Sequence, residues 1–324
     1  MVLPILLLVT GLVVLVIAGD VMVRGAAALA RHWGVPALIV GLTIVAFGTS
    51  APELVVGVKS ALTGAGELAA GNVIGSNIAN VLLALGLPAL IMAIPTNMAG
   101  VARNSLVALG ATVVFIALAF IANPLQQWQG AILFAGIVSY LIWMFKLAKA
   151  GVEDPILEEM TEIDEGEDGL PTALWKSIAF VIAGMIGLVI GGELIVNNAV
   201  LLAAEITWLN QAVVGLTIVA IGTSLPEIAT VIVASYRGHP EVAIGNVLGS
   251  NVFNLFAVMG ASALAGPIYV AKESLMRFDI WVMFAAMVAL FLYVMKRQPI
   301  GKKTGALFVL AYILYLLAIA RGMM

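Results

Sequence analysis

Cysteine is absent from this 324-residue chain, which excludes disulfides, zinc–thiolate sites, iron–sulfur clusters and a thiol nucleophile, and leaves the redox compartment undetermined. Charge is nearly as scarce. Asp, Glu, Lys and Arg make up 10% of the residues, against about a quarter in a soluble domain, whereas 63% are hydrophobic and the mean hydropathy is +1.14. So few charges cannot coat an aqueous surface, and the composition predicts an integral membrane protein whose first partner is the lipid bilayer. No basic stripe exists to neutralise phosphates, so nucleic acid is not an expected partner. The net charge of −3 hides a local bias: nine of the 18 acids fall between Glu153 and Asp168.

Helices are the expected spanning elements, because about 20 apolar residues cross the hydrocarbon core and every apolar run here exceeds the roughly 10 residues of a barrel strand. Ten runs are present, at about 2–30, 36–62, 68–94, 103–122, 127–149, 173–200, 210–236, 242–266, 279–296 and 303–322. The first has no positive charge before it and is far longer than a signal-peptide core, so it is expected to be a retained helix. With the N-terminus outside, eleven Lys and Arg fall on inner loops and helix ends and four on outer ones, which predicts both termini outside and the acidic segment in the cytoplasm. That segment is the one sizeable polar linker. It divides the chain into a first five-helix unit (1–150), a linker (151–172) and a second five-helix unit (173–324).

A shift of 174 residues aligns Gly41–Leu90 with Gly215–Leu264, and 24 of those 50 positions are identical. GLTIVAFGTSAPE (41–53) faces GLTIVAIGTSLPE (215–227), and GNVIGSNIAN (71–80) faces GNVLGSNVFN (245–254). The identities concentrate in Gly, Thr, Ser, Pro, Glu and Asn. Lipid solvation alone would have kept Leu, Ile and Val, and polar groups in hydrocarbon are costly. Because each half carries an odd number of spans, the second copy enters from the opposite face. The expected fold is therefore an all-α membrane protein of ten transmembrane helices in two inverted five-helix repeats, an arrangement that serves alternating-access transport.

The chemistry lies in the repeated motifs. Glu53 and Glu227 fall near the middle of the second and seventh runs, where a carboxylate is by default a functional-site candidate. Pro52 and Pro226 have no N–H to give to the carbonyls of Gly48 and Gly222, so the helix must bend or open there. Carbonyls of positions 46–49 and 220–223 then become available beside the hydroxyls of Thr49, Ser50, Thr223 and Ser224. Asn72, Ser76 and Asn80 share one helical face, as do Asn246, Ser250 and Asn254. Asn77 and Asn251, one step off the stripe, suit interhelical hydrogen bonding.

These groups offer only oxygen. Calcium takes 6–8 hard oxygen ligands, and two bidentate Glu with the carbonyls of Thr49 and Thr223 would make six. Magnesium, which keeps its waters, suits such a cage less well, transition metals would want His or Cys, and small hydroxyl and carbonyl pockets beside the carboxylates would suit Na⁺.

With its paired GTSxPE and GNVxGSN motifs the chain resembles the calcium/cation antiporter superfamily, specifically the prokaryotic sodium/calcium exchanger branch. The resemblance implies exchange of Na⁺ for Ca²⁺ at a midplane site, with no catalysis and no cofactor. It also implies central Ca²⁺ ligands at Glu53, Glu227 and the carbonyls of Thr49 and Thr223. Flanking Na⁺ positions would use Ala46, Ser50, Ser76, Ala220, Ser224 and Ser250, with Asn80 and Asn254 at the middle. Some relatives carry Asp where this chain has Asn254, so a third central carboxylate is missing.

Other polar residues read more simply. Asp20 and Arg24 are spaced for an intrahelical ion pair, and Glu193 has no such neighbour on its own helix. His32 and His239 fall in expected inner loops, and the 162–168 acids lack the ligand order of a calcium-binding loop. Trp128, Trp143, Trp175 and Trp208 near span ends suit interfacial anchoring. A monomer in the cell membrane is expected. Rival readings are a proton/calcium antiporter and, from another class, a cation channel; an intramembrane enzyme has no nucleophile–base pair to support it.

Overall fold

The computed structural model describes residues 2–32, 50–152, 173–205, 211–236, 240–270 and 278–320. Among them every regular element is helical, and two isolated backbone bridges, Ile94–Ile300 and Leu125–Ile268, are the sole strand-type pairings. The first half contains α1 (Val2–His32), α2 (Ala51–Leu62), α3 (Gly66–Ala79), α4 (Gly86–Ala89), α5 (Val101–Ile121) and α6 (Gln127–Lys149). The second contains α7 (Leu174–Glu205), α8 (Gln211–Val214), α9 (Ala220–Thr223), α10 (Leu225–Tyr236), α11 (Pro240–Phe253), α12 (Met259–Ala265), α13 (Ile280–Met295) and α14 (Lys302–Ala320). Among the described residues seven helical stretches are long and apolar enough to cross a bilayer, and two shorter ones, Ala212–Thr223 and Ile280–Met295, are also apolar. Leu6, Val13 and Ile17 of α1 and Ile182, Ile186 and Val189 of α7 are exposed, as lipid-facing side chains are. This is an all-α membrane protein. The part of the expected 36–62 run before Ser50 lies outside the described residues, as do residues 153–172 of the acidic linker, His239 and Trp208.

Several expected spans are interrupted. The 68–94 run is α3, a π-helical turn at Asn80–Ala84 and α4; the 242–266 run is α11, a π-helical turn at Asn254–Val258 and α12. A π-turn holds one extra residue per turn: the Leu85 N–H reaches Asn80 O, five residues back, at 3.3 Å. Each therefore rotates the helix beyond it relative to the one before, a device concentrated at functional sites. A third π-turn, Gly215–Val219, precedes α9. The 210–236 run then breaks once more at Ser224 (φ −82°, ψ 4°), with Pro226 in the first turn of α10, where its missing N–H costs no helical bond. Ser50 (φ −92°, ψ 8°) and Pro52 repeat this junction ahead of α2.

The 174-residue shift carries the boundaries of α2 onto α10, α3 onto α11 and the Asn80 π-turn onto the Asn254 π-turn without a residue of slippage. Packing obeys the same operation across the repeats. A Cβ on Gly305 would lie 2.7 Å from Gly86 O, joining α14 to α4, and one on Gly260 would lie 2.7 Å from Phe134 N, joining α12 to α6. The two backbone bridges clip the same partners: Ile94 follows α4 and Ile300 precedes α14, while Ile268 follows α12 and Leu125 precedes α6. The last helix of each half thus packs on the third span of the other. Small residues let α1 and α7 approach closely, for a Cβ on Gly11 would meet Leu194 Cβ at 2.9 Å.

Candidate cation site

The π-turns and the Ser–x–Pro junctions meet where the two halves interleave. Contact there is backbone to backbone: a Cβ on Gly71 would lie 2.5 Å from Ala212 O, and one on Gly75 would lie 2.5 Å from Leu216 O and 2.7 Å from Ala220 Cβ. Any larger residue would separate α3 from the segment leading into α9. The glycines of GNVxGSN are what lets one motif touch the other.

Among the described residues, polar contacts between motif residues of the two halves tie this region. Ser224 Oγ donates to Glu53 Oε1 at 3.3 Å, and Asn80 Nδ2 donates to Asn251 Oδ1 at 3.1 Å. Thr223 Oγ1 lies 3.1 Å from Asn72 Oδ1 and 3.0 Å from Val219 O, and Ser76 Oγ reaches Ala220 O at 3.5 Å. Glu53, Ser76, Asn80, Ala220, Ser224, Glu227 and Asn254 are fully buried, with Ser50 and Thr223 1% and Ser250 6% exposed. Of the twelve residues singled out by sequence, these ten are buried on the motif helices and their junctions, and Glu53, Ser76, Asn80, Ala220, Thr223 and Ser224 each make one of the cross-repeat contacts above. Ala46 and Thr49 lie outside the described residues.

Glu53 Oε2, Ser50 Oγ, Asn80 Oδ1 and both amide atoms of Asn254 have no hydrogen-bond partner among the described residues. Each buried polar atom left so costs roughly 1–3 kcal/mol unless something else satisfies it. No group of three or more His, Cys, Asp or Glu side chains that could hold a metal ion occurs among the described residues. Oxygen with spare lone pairs around a few carboxylates is what a hard cation needs, and partial occupation of that demand is what permits its release.

The structure amends the sequence reading elsewhere. Glu193 has a partner after all: Lys59 Nζ lies 2.8 Å from its Oε1, on a different helix, which same-helix spacing could not reveal. Asn251 does bridge helices, whereas Asn77 donates to Val73 O of its own helix at 2.7 Å. Asp20 and Arg24 pair at 3.1 Å as spaced. His32 is the last residue of α1 rather than a loop residue. Trp143 has a protein partner, with Arg103 5.7 Å from its ring centroid. A buried carboxylate, Asp279, accepts a 2.9 Å hydrogen bond from Tyr315 Oη; nothing in the local pattern joins residues 36 positions apart. The π-turns at Asn80–Ala84 and Asn254–Val258 too have no sequence signal beyond the asparagines that open them.

An oxygen-lined, buried cluster at the meeting of two copies of one helical unit, inside an all-α membrane protein, belongs to a transporter rather than a catalyst. Comparison with known proteins gives the family. The chain belongs to the sodium/calcium exchanger protein family, whose model matches twice, over residues 3–146 and 176–321. It is 35% identical over 310 residues to CaxA of Alkalimonas amylolytica, covering 94% of this chain and 95% of that one. To the sodium/calcium exchanger MaX1 of Methanosarcina acetivorans it is 29% identical over 344 residues, covering 97% of each. Among solved structures it is similar to the sodium-calcium exchanger NCX_Mj soaked with Na⁺ and Sr²⁺, with a TM-score of 0.63, 29% identity and 98% of both chains covered.

Proposed function

We propose that the protein exchanges Na⁺ for Ca²⁺ across the cell membrane by alternating access at a midplane site built from both GTSxPE and both GNVxGSN motifs. The observation that carries this reading is the Ser224–Glu53 contact, in which the junction of one repeat completes the carboxylate of the other. A site assembled from both halves opens to one face or the other as they move, and family membership favours Na⁺ and Ca²⁺ as the cargo. Glu53, Glu227 and the carbonyls of Thr49 and Thr223 are assigned to Ca²⁺. Ala46, Ser50, Ser76, Ala220, Ser224 and Ser250 are assigned to Na⁺, with Asn80 and Asn254 between them.

Two ionised Glu balance one Ca²⁺, whereas three Na⁺, the number suggested by resemblance to the exchangers, leave one positive charge over, so the cycle moves net charge. Both termini are assigned to the outside and residues 151–172, between the two five-helix units, to the cytoplasm. In this cysteine-free chain a Gly166→Cys variant should be labelled from the cytoplasmic side only; labelling from outside in intact cells would reverse the orientation. The decisive test of function is ⁴⁵Ca²⁺ uptake into proteoliposomes. Uptake should require an opposed Na⁺ gradient. Uptake driven equally by a proton gradient, or running uncoupled, would replace the reading with a proton antiporter or a channel.

A further inference from the structure

Asn77 and Asn251 occupy equivalent positions in the two repeats, as do Asn80 and Asn254 and Ser50 and Ser224. The symmetry predicts two equivalent amide bonds, Asn80 to Asn251 and Asn254 to Asn77, yet the structure holds only the first of them, at 3.1 Å. Asn77 Oδ1 and both amide atoms of Asn254 are buried without a hydrogen-bond partner among the described residues. Asn77 has turned its NH₂ to Val73 O, 2.7 Å away on its own helix. The serine pair divides in the same sense: Ser224 Oγ donates to Glu53, and Ser50 Oγ is buried without a partner. Asn80 and Asn254 open the two π-turns, so each amide that is held or released sits where its helix changes register.

Two independent pairs that break symmetry in one direction mark a conformational state. In an inverted repeat the opposite-facing state is reached when the halves trade conformations, and every asymmetry then trades sides. On the alternating-access reading above, we propose that Asn251 and Asn77 are positioning residues that take turns. Asn251 holds the Asn80 amide in the state seen here and leaves the Asn254 oxygen free for the cation. In the opposite-facing state Asn77 holds Asn254 and releases Asn80. Neither residue touches the ion in this scheme. Each acts through its partner, and each stabilises one state only.

The test is the ratio of half-saturating Ca²⁺ on the two faces, measured by exchange in right-side-out and inside-out vesicles, because apparent affinity on a face scales with the population open to it. Asn251→Ala should move this ratio about two- to tenfold one way, the factor expected for one buried hydrogen bond, and Asn77→Ala a similar factor the other way. The double variant loses one bond from each state and should return near the parental ratio, which a merely misfolded protein would not do. Single variants that move the ratio the same way, or leave it unmoved, overturn the proposal while exchange itself stands. A parent with no Na⁺/Ca²⁺ exchange overturns the functional reading and this proposal together.

Discussion

The two motif units of this protein share 24 of 50 residues and carry the boundaries of α2 onto α10, α3 onto α11 and one asparagine-led π-turn onto the other, yet they do not make the same bonds. In the first unit Glu53 receives the Ser224 hydroxyl and Asn80 is tied across to Asn251; in the second, both amide atoms of Asn254 are unpartnered among the described residues. Shared sequence set the framework of glycines, prolines and carboxylates, and shared sequence cannot by itself set the difference. On the proposal above, the difference belongs to the state of the molecule. How equal the two units are in function is therefore an experimental question, and substitutions made in pairs answer it.

The largest effect is expected at the carboxylates. Glu53→Gln and Glu227→Gln keep size and burial but each remove one of the two charges that the proposed function assigns to the divalent cation. A loss of a few kcal/mol of charge interaction corresponds to at least about a hundredfold, so Na⁺-dependent ⁴⁵Ca²⁺ uptake should vanish in either variant while size-exclusion behaviour is unchanged. Equal losses make the units equivalent at the ion; full uptake in one variant would confine the site to the other half.

Stability comes next. At Gly75 an added Cβ would meet Leu216 O at 2.5 Å and Ala220 Cβ at 2.7 Å, both on the facing repeat. Neither a backbone carbonyl nor a helical Ala can swing aside, so Gly75→Ala should destabilise by about 1–3 kcal/mol through overpacking. Thermal unfolding in detergent measures it, with Gly110→Ala as control, since nothing lies within 4 Å of a Cβ there. Gly249→Ala, the equivalent change in the second unit, should cost the same if the repeats pack alike.

A smaller and more selective effect separates the two central amides. If Asn254 faces the proposed site, Asn254→Asp would add a third carboxylate where crowded carboxylates cannot all ionise, so protons would bind there more readily. A raised carboxylate pKa means that protons compete with cations as pH falls, and exchange in the variant should fail at a higher pH than in the parent. Asn80→Asp, whose position is held by the Asn251 amide at 3.1 Å, keeps a hydrogen-bond donor near its charge if that amide turns, and should shift the profile less. Superimposable profiles for Asn254→Asp and the parent would remove position 254 from the ion's surroundings.

Much of this architecture was legible because membrane insertion imposes coarse rules. Length and hydropathy located α5, α6 and α13 to within two residues of the expected runs, and the duplication announced two copies of the site. Buried oxygens declared themselves because polar side chains in hydrocarbon are rare. Hidden features were those decided by tertiary contact. A π-turn is chosen by what its side chains must reach, and Asn80–Ala84 has no breaker to mark it. Lys59 and Glu193 are 134 positions apart, and only folding makes them neighbours.

That ion pair is where the two halves differ by sequence as well as by state. The repeat places Val233 opposite Lys59, so no equivalent pair can form on the other side. Lys59 belongs to the motif helix α2 and Glu193 to α7, so their 2.8 Å contact ties the carboxylate-bearing helix to a neighbour at one end only. Side-chain exposures of 30% and 52% keep it partly screened, and such pairs are worth about 0.2–1 kcal/mol. A double-mutant cycle with Lys59→Gln and Glu193→Gln, read by thermal unfolding in detergent, should return a coupling of that size that shrinks at high salt. The reversed pair, Lys59→Glu with Glu193→Lys, should recover most of it, because Coulomb attraction does not depend on which helix carries which sign. Coupling of zero would reduce the contact to two solvated side chains that happen to meet.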